Sequence, residues 1–144
     1  MGNQDVTTHK FAAILSKKVD AGKIMNALAH MSLGLVASNT DKVPDMGFVD
    51  YIDKDNTIHR SLSKNSYVIL RADNSNQIRT VRNMAIQKGI PHVDFANTMQ
   101  EGTYIEQLER TKVTPEAELE YYGICLFGKI EEVSELTRKF SLWR

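Results

Sequence analysis

KFAAILSKKVDAGKIMNALAH, residues 10–30, is the stretch that decides the fold. It opens on a short apolar run, residues 10–16, bounded by charge, which suits a strand buried in a sheet. Asp20 then offers an N-cap, so a helix is expected from about residue 20 to residue 37. Ile24, Leu28, Met31 and Leu35 recur at i, i+4, i+7 and i+11, which places them on one helical face. The same helix carries Lys23, Asn26 and His30 in line. Their spacing of i, i+3 and i+7 sets them within about 60° of one another around the axis. A buried strand feeding a helix with an apolar face and a polar stripe is the starting unit of an α/β domain.

The rest of the chain repeats that alternation. YVILRA, residues 67–72, is a second apolar strand, and SNQIRTVRNMAIQKGI follows as a helix. Ile78, Val81 and Ala85, with Arg82 between them, share a face of it, and Gly89 is placed as its C-terminal stop. Pro91 opens PHVDFAN, a third strand with proline at its tolerated first position. EGTYIEQLERT reads as a short helix with Tyr104, Ile105 and Leu108 on its apolar side. YYGICLFG, residues 121–128, is a fourth strand, and KIEEVSELTRKF closes with a helix whose Ile130, Val133, Leu136 and Phe140 face inward. Residues 39–66 are polar and irregular, and within them FVDYI and TIHR flank the turn-like DKDN as an exposed hairpin. The expected architecture is a three-layer α/β/α sandwich around a mixed sheet of about four strands. It is expected to form a single domain over residues 1–144, with residues 1–9 flexible.

Bulk properties narrow the function classes. A chain of 144 residues with 42% hydrophobic and 25% charged residues is ordinary for a globular protein. No apolar run approaches the ~20 residues of a membrane helix. MGNQDVTTHK lacks the order of a secretory signal and fails as a myristoylation site, so a cytoplasmic location is expected. Eighteen basic residues balance eighteen acidic ones, which disfavours broad contact with phosphate backbones. A single cysteine forbids an internal disulfide and any cysteine-cluster zinc site. His9, His59 and His92 have no metal-ligand spacing, and no Walker motif, nucleophile elbow or dinucleotide fingerprint is present. No metal and no cofactor are expected.

Two constellations carry chemistry. Lys23 falls inside the first helical turn, where a cation is unfavourable by roughly 0.3–1 kcal/mol unless something negative compensates. Asp20 is one such partner; a bound phosphate or carboxylate, attracted by the free N–H groups of the helix start, is the other. The turn lies at the carboxyl end of the first strand, where open α/β sheets place ligands. The second constellation is DFANTMQEGT. Val93, Phe95 and Asn97 share one face of the third strand, and Asn97 and Thr98 leave it at its carboxyl end. Asn97 is able to orient a ligand or water without acting as a base, or to cap backbone groups in the turn. Cys125, inside GICLFG, reads as a small buried hydrophobe, and RTVR and TRKF read as solvated faces.

KFAAILSKKVDAGKIMNALAH, RTKVTPEAELEYYGICLFG and the ending LTRKFSLW together resemble the type-two peptidyl-tRNA hydrolase fold. Lys23 at a Gly-Lys helix start, His30 seven residues later, and Arg110, Thr111, Val113, Pro115 and Gly123 carry the likeness, with Leu142 and Trp143 in the tail. The chain resembles more closely a bacterial branch of that superfamily, the domain of unknown function two thousand, through DFANTM, the strand entry from Glu118 to Gly123, and FSLWR. The resemblance spans residues 10–144. It implies a site in which Lys23, His30 and Thr111 match family positions, while Asn97 stands at the family's aspartate. It also implies an insertion, residues 98–109, and a missing hydroxyl after Pro115, where Glu116 and Ala117 stand.

The functional expectation is a diverged pocket for a small anionic ligand, a hydrolase of an ester or amide being compatible with it. Lys23, Asn26, His30, Asn97, Thr98 and Thr111 are its expected binding residues; no catalytic residue is assigned. An aminoacyl or peptidyl ester is the partner class the resemblance implies, and tRNA itself is disfavoured. The alternatives are an active peptidyl-tRNA hydrolase and a non-enzymatic interaction module built on an apolar patch near Tyr51 and Ile52. A homodimer is expected, and no membrane contact.

Overall fold

A computed structural model describes residues 6–144. The elements run β1 (His9–Ser16), α1 (Ala21–Ala37), α2 (Val43–Met46), β2 (Phe48–Ile52), β3 (Ile58–Ser63), β4 (Tyr67–Ala72) and α3 (Ser75–Lys88). They continue with β5 (His92–Ala96), α4 (Tyr104–Lys112), β6 (Tyr121–Lys129), α5 (Ile130–Thr137) and β7 (Ser141–Leu142), with short 3-10 turns at Thr40–Lys42, Asn97–Met99 and Glu116–Glu118.

β1 lies at the centre of a five-stranded sheet of order β5-β6-β1-β4-β7. It pairs parallel with β4 and antiparallel with β6, and the remaining pairs are antiparallel. This position explains its continuous apolar run. Ala12 and Ile14 face a cluster with Ile78, Val81, Ala85, Val133 and Leu136 from α3 and α5. Phe11, Ala13 and Leu15 face the opposite cluster with Ile24, Ala27, Met31 and Leu35 of α1. The sheet is therefore covered on both faces, α1 on one side and α3 with α5 on the other.

Two glycines are set by geometry. Gly89 takes a positive φ of 67° just beyond α3, the left-handed stop that ends the helix. Gly123 of β6 lies beneath Met31 of α1. A Cβ there would stand 2.8 Å from Leu15 Cδ2, 2.9 Å from Met31 Cε and 3.1 Å from the Ile14 carbonyl oxygen.

The structure corrects several expectations. The main sheet has five strands where about four were expected, because the tail supplies β7, which pairs Leu142 with Leu70. Two residues are too few to show a strand's alternation. The flexible stretch expected over residues 1–9 does not reach its end: His9 pairs with Lys129 in β1, while residues 1–5 lie outside the described residues. Tyr104, Ile105 and Leu108 of α4 face solvent and not the core. The inner side of α4 carries Gln107 and Thr111, because the helix docks on polar groups of the turn Asn97–Met99. RTVR is not a solvated face. Arg79 and Arg82 lie over the Tyr121 ring, at 5.1 and 5.7 Å from its centroid.

β2 and β3 pair only with each other, forming a two-stranded ribbon between Gly47 and Lys64. Asp53 shapes its tip by accepting from the Asp55 and Thr57 N–H groups. No helix among the described residues is long and apolar enough to cross a membrane.

Candidate binding cleft

β5 is an edge strand, and its outer side is left for α1 and α4 to flank. A cavity of about 440 Å³ opens there. Asn26 and His30 project from α1, Phe95 comes from β5, Met99 from the turn after it, and Tyr104 and Gln107 from α4. The alternation of β5 sends Val93 and Phe95 toward α1, as the strand reading requires. Phe95 joins a ring series, with His30 at a centroid distance of 6.3 Å on one side and Tyr122 at 6.0 Å on the other. Met99 is held by its own strand end, its sulfur accepting from the Ala96 N–H at 3.3 Å.

The six residues expected to form the site separate into two groups. Asn26 and His30 line the cavity. Lys23 occupies the same stripe one turn nearer the helix start; it is exposed, outside the lining, and has no hydrogen bond or ion pair among the described residues. Asp20 caps α1 by backbone conformation, without a side-chain hydrogen bond.

Asn97 does not follow Phe95 into the cleft. The strand ends at Ala96 with a shift in register against β6, and the chain turns away. Asn97 instead grips the entry to β6: its Oδ1 accepts from the Glu120 N–H at 3.0 Å, and its own N–H donates to the Glu120 carbonyl at 2.9 Å. Thr98 is buried, and its hydroxyl lies 2.7 Å from that of Thr111. The Thr111 oxygen is also 2.8 Å from the Gln107 carbonyl. Arg110 completes this fastening, donating from Nε and Nη2 to the Thr98 carbonyl at 3.3 and 3.1 Å. Asn97, Thr98 and Thr111 thus hold the turn that shapes the cleft.

Tyr104, Gln107 and Met99 are lining residues that sequence reasoning missed. The i, i+3 spacing of Tyr104 and Gln107 was the available signal, since it places both on one side of α4. Asp94 borders the cavity, but its carboxylate accepts from Arg82 Nε at 3.0 Å. Behind it, Glu116 Oε2 accepts from Arg79 Nε at 2.9 Å and from the Tyr121 hydroxyl at 2.8 Å. The Arg79 hydrogen bond, with that of Tyr121, holds the Glu116 carboxyl below its ordinary range. Burial, reinforced by Glu116, pushes the Tyr121 phenol up to about 12. These groups form a closed network that anchors α3 to β6.

Cys125 lies on the α1 side of β6, fully buried, with its sulfur 3.0 Å from the Tyr67 hydroxyl, which in turn is 2.7 Å from Ser32 Oγ. Burial pushes its thiol up to about 11, so it stays protonated and is no nucleophile at neutral pH. Among the described residues, no three His, Cys, Asp or Glu side chains are grouped to hold a metal ion.

No curated protein matches this chain. A solved structure of a protein of unknown function from Agrobacterium tumefaciens has a similar fold, with a TM-score of 0.80. The two chains are 17% identical, and the likeness covers 96% of this chain and 100% of the other. That likeness is one of fold. The sequence itself places the chain more narrowly: residues 9–144 match a family described as protein of unknown function DUF2000, and the chain belongs to that family.

Proposed function

We propose that the cleft between α1, β5 and α4 binds a small ligand with a flat apolar body, amide-type polar groups and an acidic end. An N-acylated aromatic amino acid, or its ester, presents this chemistry. The observation that carries the reading is the lining itself. A cavity of about 440 Å³ lies within the ~300–1,000 Å³ typical of small-molecule sites, which combine apolar walls with a few convergent polar groups. Phe95 and His30 offer ring faces, while Asn26 and Gln107 offer both a donor and an acceptor from opposite walls. Lys23, unpaired one turn beyond Asn26, would meet an acidic group reaching out of the cleft. In this reading Asn97, Thr98 and Thr111 act through the turn they hold.

The reading favours binding over hydrolysis. The carboxylate nearest the cleft, that of Asp94, is taken by Arg82, and Asn97, at the aspartate position of the peptidyl-tRNA hydrolase pattern, is occupied with Glu120. Removing a water-activating group typically costs ~10²–10⁴ in rate.

Calorimetric titration with N-acetylphenylalanine and its methyl ester tests this, with chromatography of the ester mixture to detect cleavage. Both compounds are expected to bind and the ester to remain intact. His30→Ala should weaken both. Lys23→Ala should weaken only the acid, by about twofold to fivefold, as befits an exposed charge pair. Failure of both compounds to bind the wild type would refute the ligand class, and steady ester cleavage lost in His30→Ala would establish the hydrolase instead.

A further inference from the structure

The β2–β3 ribbon and the outer face of α1 are two apolar surfaces that nothing among the described residues covers. On the ribbon, Phe48, Val49, Tyr51, Ile52, Ile58 and Leu62 are all exposed, Ile52 by 64% and Leu62 by 59%. Val49 pairs with Leu62 and Ile52 with Ile58 across the strands, which puts Val49, Tyr51 and Leu62 on one face and Phe48, Ile52 and Ile58 on the other. Alternation along β2 distributes them over both faces of the ribbon. The exposed part of the three on one face is on the order of 300 Å², within the range for the largest patch of a monomeric protein. An isolated two-stranded ribbon is also marginally stable in water.

α1 has the complementary peculiarity. Lys23 is its only charged residue, and beyond the buried face it exposes Met25, Ala29 and Leu33 at i, i+4 and i+8. Met25 and Leu33 are 65% and 71% exposed. An exposed apolar stripe of this kind beside the polar one marks an interaction face.

We infer that a second copy of this chain covers these surfaces, each ribbon laying its Val49, Tyr51 and Leu62 face across the outer face of its partner's α1. Two-fold symmetry allows this exchange to be reciprocal, since each copy offers one ribbon and one helix face. Adding the α1 face to that one face of the ribbon gives each copy roughly 600 Å² of apolar surface, so that two copies together clear the ~1,000 Å² a specific interface needs. Charge does not oppose the approach. The formal net charge of the chain is +0, and the α1 outer face presents no charge to repel the ribbon. Asp50 lies on the other face of the ribbon, with Phe48 and Ile52, away from this contact.

Sedimentation equilibrium of the full chain, with circular dichroism as a check on folding, tests the inference. The wild type is expected to be a dimer. Tyr51→Asp on the ribbon and Leu33→Asp on α1 should each weaken it at least tenfold without loss of secondary structure. In a second measurement, one copy carrying Leu62→Cys is mixed with another carrying Leu33→Cys; oxidation should join unlike copies, because the native Cys125 is buried. A monomeric wild type would overturn the inference. So would a dimer indifferent to both aspartates, or one lacking the mixed cross-link.

Discussion

Cys125 shows how a single residue couples packing to pH. Its side chain is fully buried between β6 and α1, and its thiol is pushed up from 9.0 to about 11 by that burial. The folded state therefore keeps a proton that the unfolded chain releases between those values. By linkage, the stabilisation is fully present below pH 9.0 and is lost as pH rises from there toward 11. Its size is on the order of 2 kcal/mol. Denaturant titrations of wild type and Cys125→Ala across this range are expected to show a steeper alkaline fall for the wild type. Part of the fall should survive the substitution, since burial also raises the phenol of neighbouring Tyr67. At pH 8, iodoacetamide should modify Cys125 only as fast as the protein opens; rapid alkylation of the native state would contradict the burial. The small-hydrophobe reading of this residue came from its apolar neighbours Ile124 and Leu126. The Ser32–Tyr67–Cys125 hydrogen bonds could not, because their partners are brought together by two different elements.

At the scale of elements, the long helices and buried strands were legible because their periodicity follows from burial itself. α3 shows every sign at once: the Asn74 side chain caps it by accepting from the Gln77 N–H, Ile78, Val81 and Ala85 are buried, and Gly89 ends it. α4 was legible as a helix and misread as to its face. Tyr104, Ile105 and Leu108 suggest an inward side, but Thr111 and Arg110 instead bind the buried turn, a choice set by carbonyls elsewhere in the chain. The α1 stripe was half legible for the same reason: its spacing aligned Lys23, Asn26 and His30, but the reach of α4 decides which of them meet a cavity. α4 is held at its start by a capping box, the Thr103 oxygen accepting from the Glu106 N–H and Glu106 Oε1 accepting from the Thr103 N–H. Thr103→Ala is expected to cost about 0.5–2 kcal/mol of local stability. Hydrogen exchange should show the amides of residues 107–112 losing protection while those of β1 are unchanged. Equal loss in both would mean that α4 is part of the central cooperative unit.

At the scale of the whole molecule, the edge of the sheet beyond β4 is formed by residues 141–142. β1 brings together β4, reached across α1 and the ribbon, and β6, which lies more than a hundred residues along the chain. Strand order of this kind depends on long-range pairing, so the sequence predicts layers without predicting neighbours. β7 completes the edge opposite β5, and the Trp143 N–H donates to the Ile69 carbonyl at 2.9 Å. The indole is half-buried and packs with the cluster under α1, on the far side of the molecule's centre from α5, which precedes it. As Trp143 is the only tryptophan, its fluorescence reports this contact alone. If the tail is a structural part of the sheet, its release requires the α1-side core to open. The fluorescence and far-ultraviolet dichroism transitions in urea should then coincide. Trp143→Ala should lower the unfolding free energy read from the dichroism transition, by about 1–2 kcal/mol for a side chain only partly removed from water. If fluorescence changes well before dichroism, the tail opens as a separate low-stability unit. β4 would then be the working edge of a four-stranded sheet, with β7 as a removable cover.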